Sequence, residues 1–273
     1  MQKVNTLQFD TPNFTKRIKG MLGVDFYRLF HTPLFYIFIA IAAIIPAMII
    51  GTTGMEGGET AALFTNVWQA VAVEKPLYVI EHIGQYANMN MVFIFGGIMV
   101  SIFIGHDYKS GYVKQLFTTH PKKQDYMISK TITCAFAMAC MCGTYFVGTV
   151  LAGAFVGLSF KVNFGSLVCA LLGKVIMSLG WAGLYVFLNV IFRKHFWISI
   201  ASSFFFGTGI LIIGAAAVLG NSGILNIFLY GSSVYACLSS NFLSLLICLA
   251  CSVCWTVIYN LLGTYILNKS DVY

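Results

Sequence analysis

Apolar positions in this chain are grouped in long blocks, with polar and charged residues confined to the joins between them. Blocks close to or above the ~20 residues needed to cross a hydrocarbon core fall at about 34–50, 87–105, 132–158, 167–192, 197–219 and 242–267. Each predicts a membrane-spanning helix, so the expected fold is all-α: a polytopic membrane protein with six transmembrane helices in a single domain over 1–273. Pro46 predicts a kink near the end of the first span. Residues 51–86 form the longest stretch outside the spans and hold Glu56, Glu59, Glu74 and Glu81; within it, 61–73 is apolar enough for a short interfacial helix. The connection 220–241 is uncharged and half apolar, which predicts short helices dipping into the bilayer as an outer gate.

Ahead of the first span, residues 14–30 place Phe14, Ile18, Met21, Leu22, Leu29 and Phe30 on one side, with Lys16, Arg17, Lys19 and Arg28 interleaved. This pattern predicts an amphipathic helix lying along the membrane interface. It should break at Thr32–Pro33, because proline disfavours helix in the residue before it and starts a new helix well. The first 30 residues lack the basic start and apolar core of a cleavable signal, so the first span is expected to act as its own insertion signal.

The composition agrees: 59% of residues are hydrophobic and 9% charged, against roughly 25% charged in a soluble domain. The net charge of +7 would suit a nucleic-acid partner if it were clustered on a soluble face, but the basic residues sit at span ends. Lys3, Lys16, Arg17, Lys19, Arg28, Lys109, Lys114, Lys122, Lys123, Lys130, Arg193, Lys194 and Lys269 share one side of the six-span topology, with Lys75 and Lys161 on the other. The positive-inside rule makes the crowded side the cytoplasm, which predicts a multi-pass plasma-membrane protein with both termini cytoplasmic. Of the eight cysteines, seven fall in predicted spans. Cys251 and Cys254 have a metal or redox spacing, but no His or carboxylate accompanies them, so no metal site or disulfide is expected.

Enzyme chemistry finds little to work with. No His-Glu-x-x-His helix, membrane aspartate pair or Ser–His arrangement is present. A phosphate-cradling loop needs Gly, four residues, then Gly-Lys-Ser/Thr; Gly173–Lys174 is followed by Val175 and has Val168 at the first glycine position. The chain is therefore not expected to be an enzyme or to hold a cofactor, and any ATPase must be a separate chain. Lys174, the one charge placed inside a span by these boundaries, has two readings: it snorkels to the outer headgroups, or it serves a transport path.

The segment His106–Lys130 carries the most information. Gly111 opens a short helix whose apolar face is Val113, Leu116 and Phe117, and Pro121 stops it. A short amphipathic helix between two spans suits a docking element; the plainer reading is a basic connector resting on anionic lipid. The ordered set Asp107, Gly111, Lys114, Leu116–Phe117, Pro121, Lys122–Lys123 and Lys130 resembles the permeases of type-2 ABC exporters. So do Asp25, Arg28 and Pro33 before the first span. The match departs in Asp107 where Glu is common, Tyr112 where a small hydroxyl residue is common, and Lys122 where Arg is common. What the resemblance implies is a dimer of permeases, with a second copy or a paralogue, above two ABC ATPase subunits that bind ATP and magnesium. Residues 107–123 would then be the coupling loop seated in the ATPase, braced by the interface helix through Asp25 and Arg28.

Membrane lipid is a further expected partner and nucleic acid is not. The function expected from this resemblance is export of an amphipathic substrate: a peptide, toxin, antibiotic or lipid. Met91, Phe95 and Lys174 are candidates for the transport path, because methionine repacks around varied ligands; packing between helices is the competing role for Met91 and Phe95. The alternative function is a non-transporting immunity, resistance or receptor subunit that binds a peptide at the outer face through 51–86.

Overall fold

The computed structural model describes residues 13–55, 91–119, 122–156, 164–209, 227–238 and 242–269; within these, the side chains of 46–55 and Met91 are among those outside the description. Of the acidic stretch expected to face outward at 51–86, residues 51–55 continue α2 and 56–86 lie outside the described residues, as do Pro121 and 210–226. The described chain is helical, with no strand among the described residues. In order the helices are α1 (Phe14–His31), α2 (Pro33–Met55), α3 (Met91–Lys109), α4 (Tyr112–Thr119), α5 (Lys123–Val156), α6 (Phe164–Ile191), α7 (Phe196–Gly207), α8 (Leu229–Leu238) and α9 (Phe242–Lys269).

α3, α5, α6 and α9 are long and apolar enough to cross a membrane, and α1 with α2 makes a fifth candidate if that bent pair is one span. The bend between α1 and α2 is 65°. Thr32 is extended there, its hydroxyl donating to the Arg28 carbonyl at 2.6 Å, and Pro33 is the first residue of α2, where its missing N–H costs nothing. α5 departs from the expected third span by running unbroken from Lys123. At 34 residues it is roughly 50 Å long, so its first turns stand clear of a ~30 Å hydrocarbon core.

The expected fifth span, 197–219, is not one unbroken helix. α7 stops at Gly207, and Gly209 takes φ +68°, a left-handed conformation that ends a helix and suits glycine. Twelve residues give about 18 Å, which is too short to cross a bilayer. The apolar composition of 197–219 could not reveal this break, because hydropathy measures solvent preference and not backbone continuity.

α6 is the hub, packing against α9, α5, α8, α3 and α7. Its rings Trp181 and Tyr185 stack with each other at 5.6 Å, and Trp181 stacks on Phe93 of α3 at 5.5 Å. The Trp181 Nε1–H donates to Ser233 Oγ of α8 at 2.8 Å. On its other side the Gly180 amide donates to Ser252 Oγ of α9 at 2.9 Å. A buried polar cluster joins α3, α6 and α7: Asn189 Nδ2 donates to Ser101 Oγ at 3.1 Å, Ser101 Oγ meets Ser203 Oγ at 2.8 Å, and Ser199 Oγ donates to Asn189 Oδ1. Such bonds between helices matter in a membrane, where apolar packing alone does not distinguish protein from lipid. The outer face of α9 exposes Leu246, Val253, Val257 and Leu261, as expected of a lipid-facing side.

α2 lies along α5 with the two backbones in close approach at Gly148. A Cβ on Gly148 would stand 2.3 Å from the Ala43 carbonyl oxygen, whereas one on Gly143 would meet nothing within 4 Å. Gly148→Ala should therefore push α2 from α5 and destabilise the fold by roughly 1–3 kcal/mol. Gly143→Ala should be neutral or stabilising, by up to about 1 kcal/mol of helix propensity. Thermal loss of monodisperse protein in detergent separates the two, and equal midpoints would refute the close-approach reading.

Candidate functional site

At one end of the bundle, α1, the last turn of α3 and the first turns of α5 converge on four charged side chains. Lys130 of α5 is fully buried, and its Nζ lies 2.6 Å from Asp25 Oδ1 of α1 and 2.6 Å from Asp107 Oδ2 of α3. The second oxygen of Asp107 pairs with the Arg28 guanidinium of α1, and the second oxygen of Asp25 accepts from Ser129 Oγ at 2.6 Å. Two carboxylates therefore face two cations, and the cluster is neutral. Asp25 is 1% exposed and Asp107 0%. Removing such groups from water costs several kcal/mol per ion, and that cost is offset only where each charge meets an opposite one with good geometry.

Local sequence explains the convergence. Met21, Asp25 and Leu29 are the buried residues of α1, spaced by four and so lying on one face. Arg28 sits three residues after Asp25, adjacent to the same face. On α5, Tyr126, Lys130 and Cys134 repeat by four and are all buried. Rings close the cluster: Lys130 Nζ lies 4.7 Å from the Phe103 centroid, and the Arg28 guanidinium lies 4.1 Å from that of Tyr112, within the range of cation–π attraction. Burial by itself would lower the Arg28 pKa, but the charge and hydrogen bond of Asp107 outweigh it and hold the guanidinium above its ordinary value. Burial, with Asp25 adding to it, raises the Tyr112 phenol. Neither group changes charge near neutral pH.

Around it, Arg17 Nε of α1 pairs with the buried Asp125 Oδ2 of α5 at 2.7 Å, and Lys123 Nζ donates to the Leu267 carbonyl of α9 at 2.5 Å. α4 is seated directly on this end. Gly111 turns the chain into it with φ +75°, Val113 is buried, and Phe117 meets the Tyr126 ring edge-on at 5.5 Å. Its other face leaves Lys114, Gln115 and Thr118 exposed, with Lys122 exposed just beyond.

The residues expected at the coupling loop therefore divide. Lys114 and Lys122 present their side chains outward. Val113, Leu116 and Phe117 pack on their own chain. Asp107 is sequestered in the ion cluster with Asp25 and Arg28, and Lys123 is half-buried. Pro121 lies outside the described residues. Of the possible path residues, Phe95 is half-buried against the core, Met91 has no described side chain, and Lys174 is 5% exposed. Lys174 Nζ lies 5.4 Å from the Tyr145 ring on α5, so it turns into the protein rather than out to the headgroups.

By the expected boundaries Lys130 lies just before the third span, and the structure runs α5 continuously through it and buries it completely. Sequence reading placed Lys130 at a span boundary and missed its partnership with Asp25. The available signal was Asp25 itself, set between apolar Met21 and Leu29 at i−4 and i+4, which calls for a buried cation.

Lys130→Met should leave two buried carboxylates sharing Arg28 and cost about 3–5 kcal/mol, read as a lowered thermal midpoint in detergent. Adding Asp25→Asn to it should restore part of that loss, since only the Arg28–Asp107 pair then remains charged. An unchanged midpoint for Lys130→Met alone would mean that the cluster does not hold the fold.

No curated protein matches the chain. A family profile described as ABC-2 family transporter protein matches residues 22–210, a region that includes most of α1, the whole ion cluster, α4 and the chain through α7. With its several apolar helices the protein is a multi-pass membrane protein, and family membership implies association with an ABC ATPase. This chain belongs to the ABC-2 family transporter proteins, as a membrane permease of an ABC transporter.

Proposed function

We propose that the protein is the permease of an ABC exporter, working as a dimer of permeases over two ATPase subunits, with six membrane crossings, the fifth beginning with the short helix α7, and both termini in the cytoplasm. α4 is its coupling helix. The observation that carries this reading is the seat of α4: one face exposes Lys114, Gln115 and Thr118, while the other rests on the rings and ion pairs that join α1, α3 and α5. A force on α4 reaches three helices at once through groups that cannot separate without exposing buried charge. Asp107, Asp25 and Arg28 then act behind the contact, and Lys114 and Lys122 act at it. ATP-dependent closure of the ATPases biases the permease only if they contact α4 differently in their two states.

The substrate we infer is amphipathic. Asp25, Asp107, Asp125 and Lys130 gather at the α4 end; away from it, Lys174 is the one buried charged side chain among the described residues. A path for a strongly charged small solute would need more compensating charge along its length. The gathering of basic residues at the α4 end supports placing that end in the cytoplasm, and export is the direction the sequence resemblance implies.

Lys114→Glu/Lys122→Glu should leave folding unchanged, both side chains being exposed, yet reduce co-purification of the ATPase at least about tenfold, as expected for interface charges each worth on the order of 1 kcal/mol. Substrate-stimulated ATP hydrolysis in reconstituted vesicles should fall with it. Full retention of the ATPase by the doubly reversed chain would remove α4 as the coupling contact.

A further inference from the structure

A second feature at the α4 end lies apart from the ion cluster. Between the end of α3 and the turn joining α6 to α7 there is a cavity of about 320 Å³, bordered by Tyr108, Lys109, Arg193, Lys194, Phe196 and Trp197. Among the described residues, three cations line it and no carboxylate does. Its floor includes the first turn of α7, where the N-cap residue His195 makes no side-chain bond to the helix amides, so the positive end of the helix adds to the cationic field. The cavity also opens at the root of an apolar strip. Trp197 is 78% exposed, and Ala201, Phe204 and Phe205, four, seven and eight residues on, are exposed along the same side of α7. The opposite side, Ser199, Ser203 and Gly207, is the one buried in the bundle.

We propose that this cavity binds the phosphate headgroup of an anionic phospholipid, whose acyl chains lie along the Trp197–Phe205 side of α7. The arrangement matches a phospholipid from end to end: a cationic pocket for the phosphodiester, an interfacial tryptophan at the glycerol level, and an apolar strip for the chains. A free phosphate would use only the first of these. The site needs the membrane setting already shown, and it does not depend on the coupling role of α4. Arg193 and Lys194 belong to the turn that connects α7 to the hub helix α6, so a lipid held there would join the two across that turn.

The test is native mass spectrometry of the purified, delipidated chain, titrated with phosphatidylglycerol, with phosphatidylcholine and with inorganic phosphate. The expected result is phosphatidylglycerol binding at least about tenfold tighter than phosphatidylcholine binding, and undisturbed by millimolar phosphate. Lys109→Ala/Arg193→Ala/Lys194→Ala should weaken it on the order of a hundredfold, each cation near a membrane surface contributing about a factor of five. Lys16→Ala/Lys19→Ala, which removes exposed charge elsewhere at the same end, should not. If the triple variant is not monodisperse, Lys194→Glu alone changes only an exposed side chain and should still weaken phosphatidylglycerol, while Arg193→Lys/Lys194→Arg should retain it. Equal binding of the two lipids, unchanged affinity in the charge-removed chains, or displacement of phosphatidylglycerol by free phosphate would each overturn the proposal.

Discussion

The rest of the structure depends on the pairing of Lys130 with two carboxylates brought from different helices. A fully buried ammonium at the edge of a membrane is stable only if its countercharges are held within hydrogen-bond reach, and neither Asp25 nor Asp107 lies on the same helix as Lys130. This requirement fixes α1 against α5 and the end of α3 against both. Arg28 then completes the charge balance from α1. α1 is thus part of the bundle through ionic contacts, while its Phe14, Tyr27 and Phe30 stay exposed.

Farther from that end, neutral contacts predominate, with Lys174 over the Tyr145 ring as the buried charge there among the described residues. The serines and Asn189 between α3, α6 and α7, and the Trp181–Ser233 and Gly180–Ser252 bonds from α6, are bonds of modest individual strength that gain specificity because hydrocarbon offers no other partner. The protein therefore has a strongly pinned end and a body held by packing and single hydrogen bonds. Such a division suits a transporter. Under the proposed coupling, a push delivered to the pinned end would move α1, α3 and α5 together, and the single hydrogen bonds elsewhere would be the contacts to rearrange.

The two features at the α4 end solve opposite electrostatic problems. In the cluster, positive charge is neutralised within the chain and closed to solvent. In the cavity between α3 and the α6–α7 turn, Lys109, Arg193 and Lys194 line one pocket, with no carboxylate among its described lining residues, and it opens beside an apolar helix face. One arrangement suits an internal joint, the other an external anion.

Much of this protein was readable from its sequence. The all-helical membrane class followed from block length, because the cost of leaving backbone polar groups unpaired in hydrocarbon permits few alternatives. The helix over 14–30, its break at Thr32–Pro33 and the short helix after Gly111 followed from periodicity, proline and glycine, all local constraints. The loop motif and its neighbours led to the family that the profile match then showed. What tertiary structure decided was direction and partnership. Asp107 was legible as part of the loop motif, but not as a buried acid; Lys130 was legible as a charge at a span's start, but not as the centre of a cluster; and 197–219 was legible as apolar, but not as a helix ending at Gly207. The physical reason is the same in each case. A side chain's local pattern states which environments it tolerates, whereas a buried charge or a helix end is settled by groups distant along the chain, here Asp25 some hundred residues before Lys130.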